Sequence, residues 1–273
     1  MLNLPQPMLG EISALTITTP DLEMSLTFYK KLGFSELFRA DWPFPWIQIT
    51  DGALLIMLRK DDKPYIALTY YVNDVDKVVA MLDEKGIDFA QRAKDTDALK
   101  RYLIKSPDGL NISLVGMPTG AGFKQPPGPT MLNMPQQDFF NPDKYVNKVC
   151  GLFGEFAYPV ADLEKAIAFW QQLGFTAVSK FSSPYPWAIL SDGLSIIGAH
   201  QAVHDLTLEA AFVAAHYEQA ITLPAITFFA ADMKDKIKKL KAEGLTDYTD
   251  KGESNTVLKT PEQQTINLFK LGM

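Results

Sequence analysis

The chain carries the same sequence pattern twice. A segment that begins at Asp21 returns without a gap 141 residues later, at Asp162 (162 minus 21). The matching pieces are Asp21-Leu22-Glu23 with Asp162-Leu163-Glu164, Leu32-Gly33-Phe34 with Leu173-Gly174-Phe175, Pro43-Phe44-Pro45-Trp46 with Pro184-Tyr185-Pro186-Trp187, and Asp51-Gly52 with Asp192-Gly193. Solenoid repeats are about 20 to 50 residues long, so this longer period indicates a duplicated domain. The 273 residues of the chain have room for two domains of ordinary size.

Charge and hydropathy argue against several classes of partner. The formal net charge of −6 is mildly acidic, which does not favour nucleic acid or an anionic membrane surface. No apolar run approaches the roughly 20 residues of a membrane span, and the first residues lack the pattern of a signal peptide. The single Cys150 excludes an internal disulfide framework. We therefore expect a cytoplasmic protein, either a monomer or a homodimer, with a small molecule as its partner.

Arginine is distributed unevenly between the two copies. All four arginines lie in the first half of the chain, at Arg39, Arg59, Arg92 and Arg101. Because guanidinium is the group that grips a carboxylate or phosphate through two hydrogen bonds, we expect that the two copies do not bind the same anion.

Each copy has the pattern of a strand, a helix and three strands, followed by the same order again. In the first unit, residues 12 to 18 alternate apolar and small polar side chains, which is typical of a half-buried strand. Thr19 and Pro20 predict a helix start with Thr19 as the N-cap and Pro20 at the first helical position. Further strands are predicted near 88 to 92, 101 to 105 and 111 to 115. The sequence thus predicts an α+β protein of four βαβββ units.

Domain boundaries follow from composition. We predict a first domain at 10–116, a Pro-rich linker at 117–150 and a second domain at 151–273. Proline makes this linker a semi-rigid spacer, and its Met131, Met134, Phe139 and Phe140 predict that it lies against a domain. The second copy has an insertion rich in helix formers, which predicts an added helix near 203–221 that either covers a pocket or packs on an edge.

The repeated helix pattern resembles the vicinal oxygen chelate superfamily, which groups glyoxalases, bleomycin-resistance proteins and extradiol dioxygenases. The resemblance rests on Asp-Leu-x-x-Ser/Ala-x-x-Phe-Tyr/Trp-x-x-Leu-Gly-Phe near the start of each copy and on Pro107-Asp108-Gly109 near the end of the first. It implies two glyoxalase-like domains whose curled mixed sheets surround clefts. Members include isomerases, dioxygenases, transferases and binding proteins without activity, so the resemblance leaves the function open.

The resemblance also implies where a metal would be bound. Enzymes of this superfamily place one ligand on the first and one on the last strand of each unit, usually His and Glu. Counting from the motifs puts these positions at Ala14, Met57, Tyr65 and Ser113 in the first copy, and at Glu155, Gly198, Leu223 and Asn267 in the second. Only Glu155 is a good ligand for a first-row metal. Whether the units pair within each copy or across copies, no cleft collects three ligands, so we expect no metal and no other cofactor.

Glu155 is the strongest candidate for a catalytic residue. A strand carboxylate that points into an apolar cleft can serve as a general base or bind a cationic ligand, whereas the alternative is a glutamate turned to water. Asn267, at the facing position, could orient a ligand through its amide. Tyr65 and Ser113 are candidate hydroxyl groups in the first cleft, but neither has a neighbouring histidine that would activate it.

The repeated aromatic residues are candidates for ligand binding. Trp46 and Trp187 follow a proline at the same place in each copy, which suits either a cleft wall that stacks on a flat ligand or a core residue, and we favour the core. Phe44 and Tyr185 are expected nearer the rim of their clefts.

Histidine gives a weaker signal. Only His200, His204 and His216 are present, and a pair four residues apart would share one face of a helix. Gly198 and Ala199 continue a strand into His200, however, and no carboxylate motif surrounds the pair. We interpret these histidines as structural or solvated rather than as a metal site.

Two functional hypotheses follow. The first is a metal-free binding protein, similar to the bleomycin-resistance branch, that holds a small aromatic or cationic molecule. The alternative is a glyoxalase- or dioxygenase-type enzyme, a lyase, isomerase or oxygenase, in which Glu155 is a base or a metal ligand. The absence of all four ligands in the first copy and of three of the four in the second favours the first hypothesis.

Overall fold

The computed structural model describes residues 4–117, 124–183, 185–201 and 224–272. Within these residues, fifteen strands form two mixed sheets, and four α-helices pack against the sheets. The first copy contains β1 Ile12–Thr19, α1 Leu22–Lys31, β2 Ser35–Ala40, β3 Trp46–Thr50, β4 Leu55–Lys60, β5 Ile66–Val72, α2 Val75–Glu84, β6 Arg101–Lys105 and β7 Asn111–Gly116. The second contains β8 Leu152–Val160, α3 Leu163–Gln172, β9 Thr176–Phe181, β10 Trp187–Ser191, β11 Ile196–Gln201, β12 Ala225–Ala230, α4 Met233–Ala242, β13 Tyr248–Asp250, β14 Thr256–Lys259 and β15 Thr265–Lys270.

The units pair within each copy. The first sheet has the strand order β2-β3-β4-β1-β5-β7-β6, and the second has the order β13-β14-β15-β12-β8-β11-β10-β9. At the centre of each sheet the first strands of the two units run antiparallel, β1 beside β5 and β8 beside β12. The predicted α+β architecture with two mixed sheets is confirmed, and of the two pairings left open the structure has the one within copies.

Two local predictions about the first copy are wrong. Helix α1 begins at Leu22 with Asp21 as its N-cap, since the Asp21 side chain accepts a hydrogen bond from the amide of Met24 at 2.9 Å. Thr19 instead ends β1, and its hydroxyl contacts that of Ser25 at 2.8 Å. The strand predicted near 88 to 92 is reduced to one isolated bridge between Gln91 and Leu103.

A single apolar core joins the two copies. Buried residues of both sheets and of all four helices form one cluster, which includes Leu15, Leu68, Phe156, Trp170 and Phe228. Trp170 lies on α3, and the other four lie on strands. Burying apolar surface stabilises a fold by about 25 cal/mol per Å², so the stabilities of the two copies depend on the same contacts.

The repeated Asp-Gly turns are buried and bonded to other parts of the chain. Asp192 accepts a hydrogen bond from the Tyr70 hydroxyl at 2.6 Å, and Asp51 accepts one from the Asn147 amide at 3.1 Å. Burial raises the pKa of both carboxyl groups. The turn glycines have φ of +95° at Gly52 and +93° at Gly193, a region in which glycine is the favoured residue.

Much of the predicted linker lies against the sheets. Met134 is 6% exposed, and Met131 and Phe139 pack against the core, whereas Phe140 is 66% exposed and departs from the prediction. The predicted helix near 203–221 lies outside the described residues. Across the part of the chain that the structure describes, no helix combines the length and the apolar character needed to cross a membrane.

Candidate functional site

The candidate sites lie on the sheet faces that are turned away from the helices. Successive strand residues point to opposite sides, and the helix-facing ones form the core. We call the other side of each sheet its cleft face. On the first cleft face lie Ala14, Thr16, Met57, Thr69 and Ser113, and on the second lie Glu155, Ala157, Gly198, Thr227 and Asn267.

Strand register places two threonines at the centre of the cleft faces. Thr69 lies opposite Ala14 and beside Ser113, and Thr227 lies opposite Glu155 and beside Asn267. Of the other two predicted positions, Tyr65 directly precedes β5, and Leu223 lies outside the described residues.

Glu155 contacts His200 on the second cleft face. Its Oε1 lies 3.1 Å from Nε2 of His200, while Nδ1 of the same ring lies 3.1 Å from the Tyr185 hydroxyl. A neutral imidazole satisfies both contacts when it donates from Nε2 and accepts at Nδ1. Glu155 and Tyr185 are each 5% exposed. The sequence-predicted Glu155 and Tyr185 are thus joined by a histidine that the sequence favoured as structural or solvated.

Gly198 makes room for this contact. A Cβ atom on Gly198 would lie 2.1 Å from Oε2 of Glu155 and 2.8 Å from Nε2 of His200. No φ in the left-handed region requires glycine at this position. Glycine is therefore needed at this position for space, because the Glu155 carboxylate occupies the volume that a larger side chain would fill.

Three rings stack beside the carboxylate. The rings of Trp187 and His200 are nearly parallel, with centroids 5.6 Å apart and an angle of 2°, and Phe181 stacks on Trp187 at 4.1 Å. Trp187 is half-buried, so the favoured assignment to the core is not what the structure shows. Tyr185 is the more buried of the two, which is the reverse of the expected order.

Two buried acceptor atoms of the second cleft face have no hydrogen-bond partner among the described residues. They are Oε2 of Glu155 and Oδ1 of Asn267. The Asn267 amide nitrogen donates to the Thr227 hydroxyl at 3.2 Å, which leaves its oxygen unpaired. Glu155, Thr227 and Asn267 are neighbours in register across three strands. This face therefore offers acceptors to a group that donates hydrogen bonds.

The first cleft face has different chemistry at the equivalent positions. Ala14, Phe44 and Arg59 stand 141 residues before Glu155, Tyr185 and His200. Thr16 and Thr69 bond to each other through their hydroxyls at 2.7 Å, and Ser113 is 3% exposed.

The predicted aromatic residues of the first copy lie half-buried beside this face. They are Phe44, Tyr65 and Trp46, and Trp46 donates from Nε1 to the carbonyl of Trp42 at 3.2 Å. The structure does not bring Tyr65 or Ser113 into contact with Glu155.

The described residues do not fit the metal centre that the resemblance implies. At the predicted positions the side chains are those of Ala, Met, Tyr and Ser in the first copy and of Glu, Gly, Leu and Asn in the second. Among the described residues, no group of three or more His, Cys, Asp and Glu side chains is close enough to hold a metal ion. Glu155 and His200 supply two suitable atoms, and a catalytic zinc site uses about three protein ligands.

His200 and Phe181 are site residues that sequence reasoning missed. His200 stands two residues beyond the predicted ligand position Gly198, on the same face of β11. A count by two along this strand, extended past the family position, would have placed its ring on the cleft face. Its contact with Glu155 depends on the parallel pairing of β8 and β11, and no sequence pattern predicted the register of that pairing.

A family model of the Glyoxalase/Bleomycin resistance protein/Dioxygenase superfamily matches residues 11–114 and 152–264. Among solved structures, the fold is similar to the 2,3-dioxygenase LapB from Pseudomonas sp. KL28, with a TM-score of 0.58, 15% identity, and coverage of 100% of this chain and 94% of that one. It is also similar to the Mn(II)-bound glyoxalase from Novosphingobium aromaticivorans, with a TM-score of 0.56, 15% identity, and coverage of 96% and 82%.

A third similar structure is homoprotocatechuate 2,3-dioxygenase from Arthrobacter globiformis, with a TM-score of 0.54, 14% identity, and coverage of 98% of this chain and 82% of that one. A comparison with curated proteins gave no match. At 14 to 15% identity these structures show that the fold is similar. A shared fold does not imply a shared reaction.

Proposed function

Because the chain belongs to the Glyoxalase/Bleomycin resistance protein/Dioxygenase superfamily, which includes binding proteins as well as enzymes, we propose that it binds a small cationic aromatic molecule on its second cleft face. The observation that carries this proposal is the pair of buried, unpartnered acceptors, Glu155 Oε2 and Asn267 Oδ1. A buried polar atom without a partner costs about 1 to 3 kcal/mol. A ligand N–H group that donates to these atoms would remove that cost.

The aromatic stack supplies the rest of the site. Trp187 lies between the rings of Phe181 and His200, and the stack forms an aromatic wall of the kind that attracts cations as well as rings. Oε2 of Glu155 remains without a partner beside this stack. An ammonium group on an aromatic ligand would donate to that carboxylate oxygen while its ring packs on the aromatic side chains.

A direct test compares three probes of the same shape. We expect 2-phenylethylamine to bind, and 2-phenylethanol and 3-phenylpropionate to bind at least tenfold more weakly, as measured by isothermal titration calorimetry. Glu155→Gln keeps the size of the side chain and removes its charge, so it should weaken binding of the amine about tenfold or more, since hydrogen bonds to charged groups are about twice as strong as neutral ones. Equal binding of the amine and the alcohol, or an unchanged affinity in the variant, would contradict the proposal.

One observation favours the alternative of an enzyme. The chain of contacts from Tyr185 through His200 to Glu155 is an arrangement that can hold and transfer a proton, as a general base requires. The same Glu155→Gln variant discriminates between the hypotheses. The enzyme hypothesis would be supported if the wild-type protein turned over homoprotocatechuate or another substrate, and if the variant lost this turnover while its melting temperature stayed within about 2 °C.

A metal content close to one ion per chain in protein purified without chelator, lost in Glu155→Ala, would also support the enzyme hypothesis.

A further inference from the structure

The two cleft faces carry different ionisable groups at equivalent positions. Arg59 is paired with Trp46 across β3 and β4, as His200 is paired with Trp187 across β10 and β11. The position of the Glu155 carboxylate is taken in the first copy by Ala14. The first cleft face therefore has no acid at the position equivalent to Glu155, and it has Arg59 at the position equivalent to His200.

A second arginine reaches the same place from another strand. The guanidinium carbon of Arg101, on β6, lies 5.5 Å from the centre of the Tyr65 ring, and that of Arg59 lies at the same distance from this ring and 5.0 Å from the ring of Phe44. Tyr65 precedes β5, so three separate parts of the first sheet converge here. Two permanent positive charges therefore share one tyrosine ring.

Two polar atoms of this cluster are buried and have no hydrogen-bond partner among the described residues. They are the Tyr65 hydroxyl and Nε of Arg101. The guanidinium group is a donor only. Burial raises the pKa of Tyr65, against the opposing effect of Arg101 and Arg59, so its hydroxyl remains protonated at neutral pH and can donate. Both unpaired atoms are thus available as donors.

Little negative charge faces this cluster. Nη2 of Arg59 bonds to Asp61 at 2.9 Å, and the Asp61 side chain is 37% exposed. The Arg59 side chain is 14% exposed, so this ion pair compensates part of its charge. Arg101 makes no ion pair among the described residues, and its buried donor favours a ligand that accepts hydrogen bonds and is negatively charged.

From this convergence we propose that the cluster of Phe44, Arg59, Tyr65 and Arg101 on the first cleft face binds a small aromatic carboxylate. The carboxylate accepts hydrogen bonds from Arg101 and from the Tyr65 hydroxyl, and the ring of the ligand packs against Phe44. This site is separate from the one proposed around Glu155, and the two would take ligands of opposite charge.

The experiment uses benzoate as the probe and benzamide as its neutral analogue, with binding measured by calorimetry on the full chain. We expect benzoate to bind and benzamide to bind at least tenfold more weakly. Arg101→Gln should weaken benzoate binding at least tenfold, and Tyr65→Phe, which keeps the ring and removes the hydroxyl, about fivefold.

Arg92→Gln is the matched control. Arg92 belongs to the same copy, lies 4.4 Å from the centre of the Phe89 ring and pairs with Asp83, but it is half exposed and outside the cluster. Neither this variant nor Glu155→Gln should change benzoate binding, so failure of this proposal is distinguishable from failure of the other. Equal effects of Arg92→Gln and Arg101→Gln, no binding of benzoate, or equal binding of inorganic phosphate would overturn the assignment. If Arg101→Gln does not fold, the proposal is tested by the effect of Tyr65→Phe and by the comparison of benzoate with benzamide.

Discussion

Gly198 is the residue on which the geometry of the second cleft face depends. The corresponding residue of the first copy is Met57, which is buried. In both copies the position points to the cleft face. The acid therefore needs a neighbour without a side chain, and a carboxylate at position 155 together with glycine at position 198 distinguishes the acidic site of this copy from the arginine-rich face of the other.

Gly198→Ala should separate Glu155 from His200. Its new Cβ would lie 2.1 Å from Oε2 and 2.4 Å from Cδ of Glu155, well below ordinary contact, so the carboxylate must move. We expect at least a tenfold loss of affinity for 2-phenylethylamine and a shift of the His200 imidazole resonances in nitrogen-15 NMR spectra. The control Met57→Ala changes the equivalent position of the other copy and should leave both unchanged. Unaltered His200 resonances in Gly198→Ala would show that the predicted displacement does not occur.

At the scale of elements, one buried side chain of the linker, Asn147, bonds to two parts of the first copy. The Asn147 amide donates to the carbonyl of Leu32 at the end of α1 and to Asp51 in the Asp-Gly turn, each at 3.1 Å. Its oxygen accepts from the amides of Val149 and Cys150. Asn147 is 3% exposed, so each of these groups relies on it for a partner in place of water.

Asn147→Ala should lower the free energy of unfolding by about 2 to 4 kcal/mol, because it leaves several buried polar groups without partners. Asn141→Ala is the control in the same linker. Asn141 is exposed and caps only a short 3-10 turn through the amide of Asp143, so its loss should cost less than about 1 kcal/mol. Urea denaturation of the two variants measures the difference, and equal destabilisation would contradict the role assigned to Asn147.

The elements also show what a single sequence can and cannot predict. The duplicated helix motif predicted both sheets, and Glu155 emerged because its family position is anchored by Asp162 a few residues later. The N-cap of α1 was misplaced because Thr19, Pro20 and Asp21 all favour a helix start, and only the bond from Met24 decides for Asp21. Tyr65 was assigned to a ligand position by counting along the chain, and no motif anchors that count; in the structure it directly precedes β5.

At the scale of the whole molecule, each copy reaches across to the other through its last hairpin. Glu262, in the final turn of the second copy, accepts hydrogen bonds from the Tyr29 hydroxyl at 2.9 Å and from Ser25 at 3.0 Å, both on α1. In the opposite direction, Asp108 in the last hairpin of the first copy accepts from the amide of Ala161, before α3, at 2.7 Å. The reciprocal contacts follow the duplication and explain why the core is continuous.

Glu262 should make stability depend on pH. Burial raises the pKa of its carboxyl group above the ordinary value of 4.5, although bonds from Tyr29 and Ser25 act against this. As the pH rises from 4.5 to the raised pKa, the unfolded chain loses the proton while the folded chain keeps it, so the contribution of Glu262 to stability falls and then levels off. Glu262→Gln cannot titrate.

We therefore expect the stability of wild type relative to Glu262→Gln to be greatest at pH 4 and smaller at pH 7, as measured by urea denaturation. Glu243→Gln, at an exposed position on the end of α4, is the control and should show a flatter difference. A difference between wild type and Glu262→Gln that grows with pH would contradict the assigned direction of the pKa shift.

The shared core has a consequence for engineering. Since Leu68, Phe156 and Phe228 hold both halves together from one side, neither half is expected to survive excision as an autonomous module. The two cleft faces lie on the other side of the sheets and are not part of this shared core. Substitutions on one cleft face are therefore expected to leave the other unchanged. A chain of this kind is a natural scaffold for two orthogonal receptors on a single polypeptide.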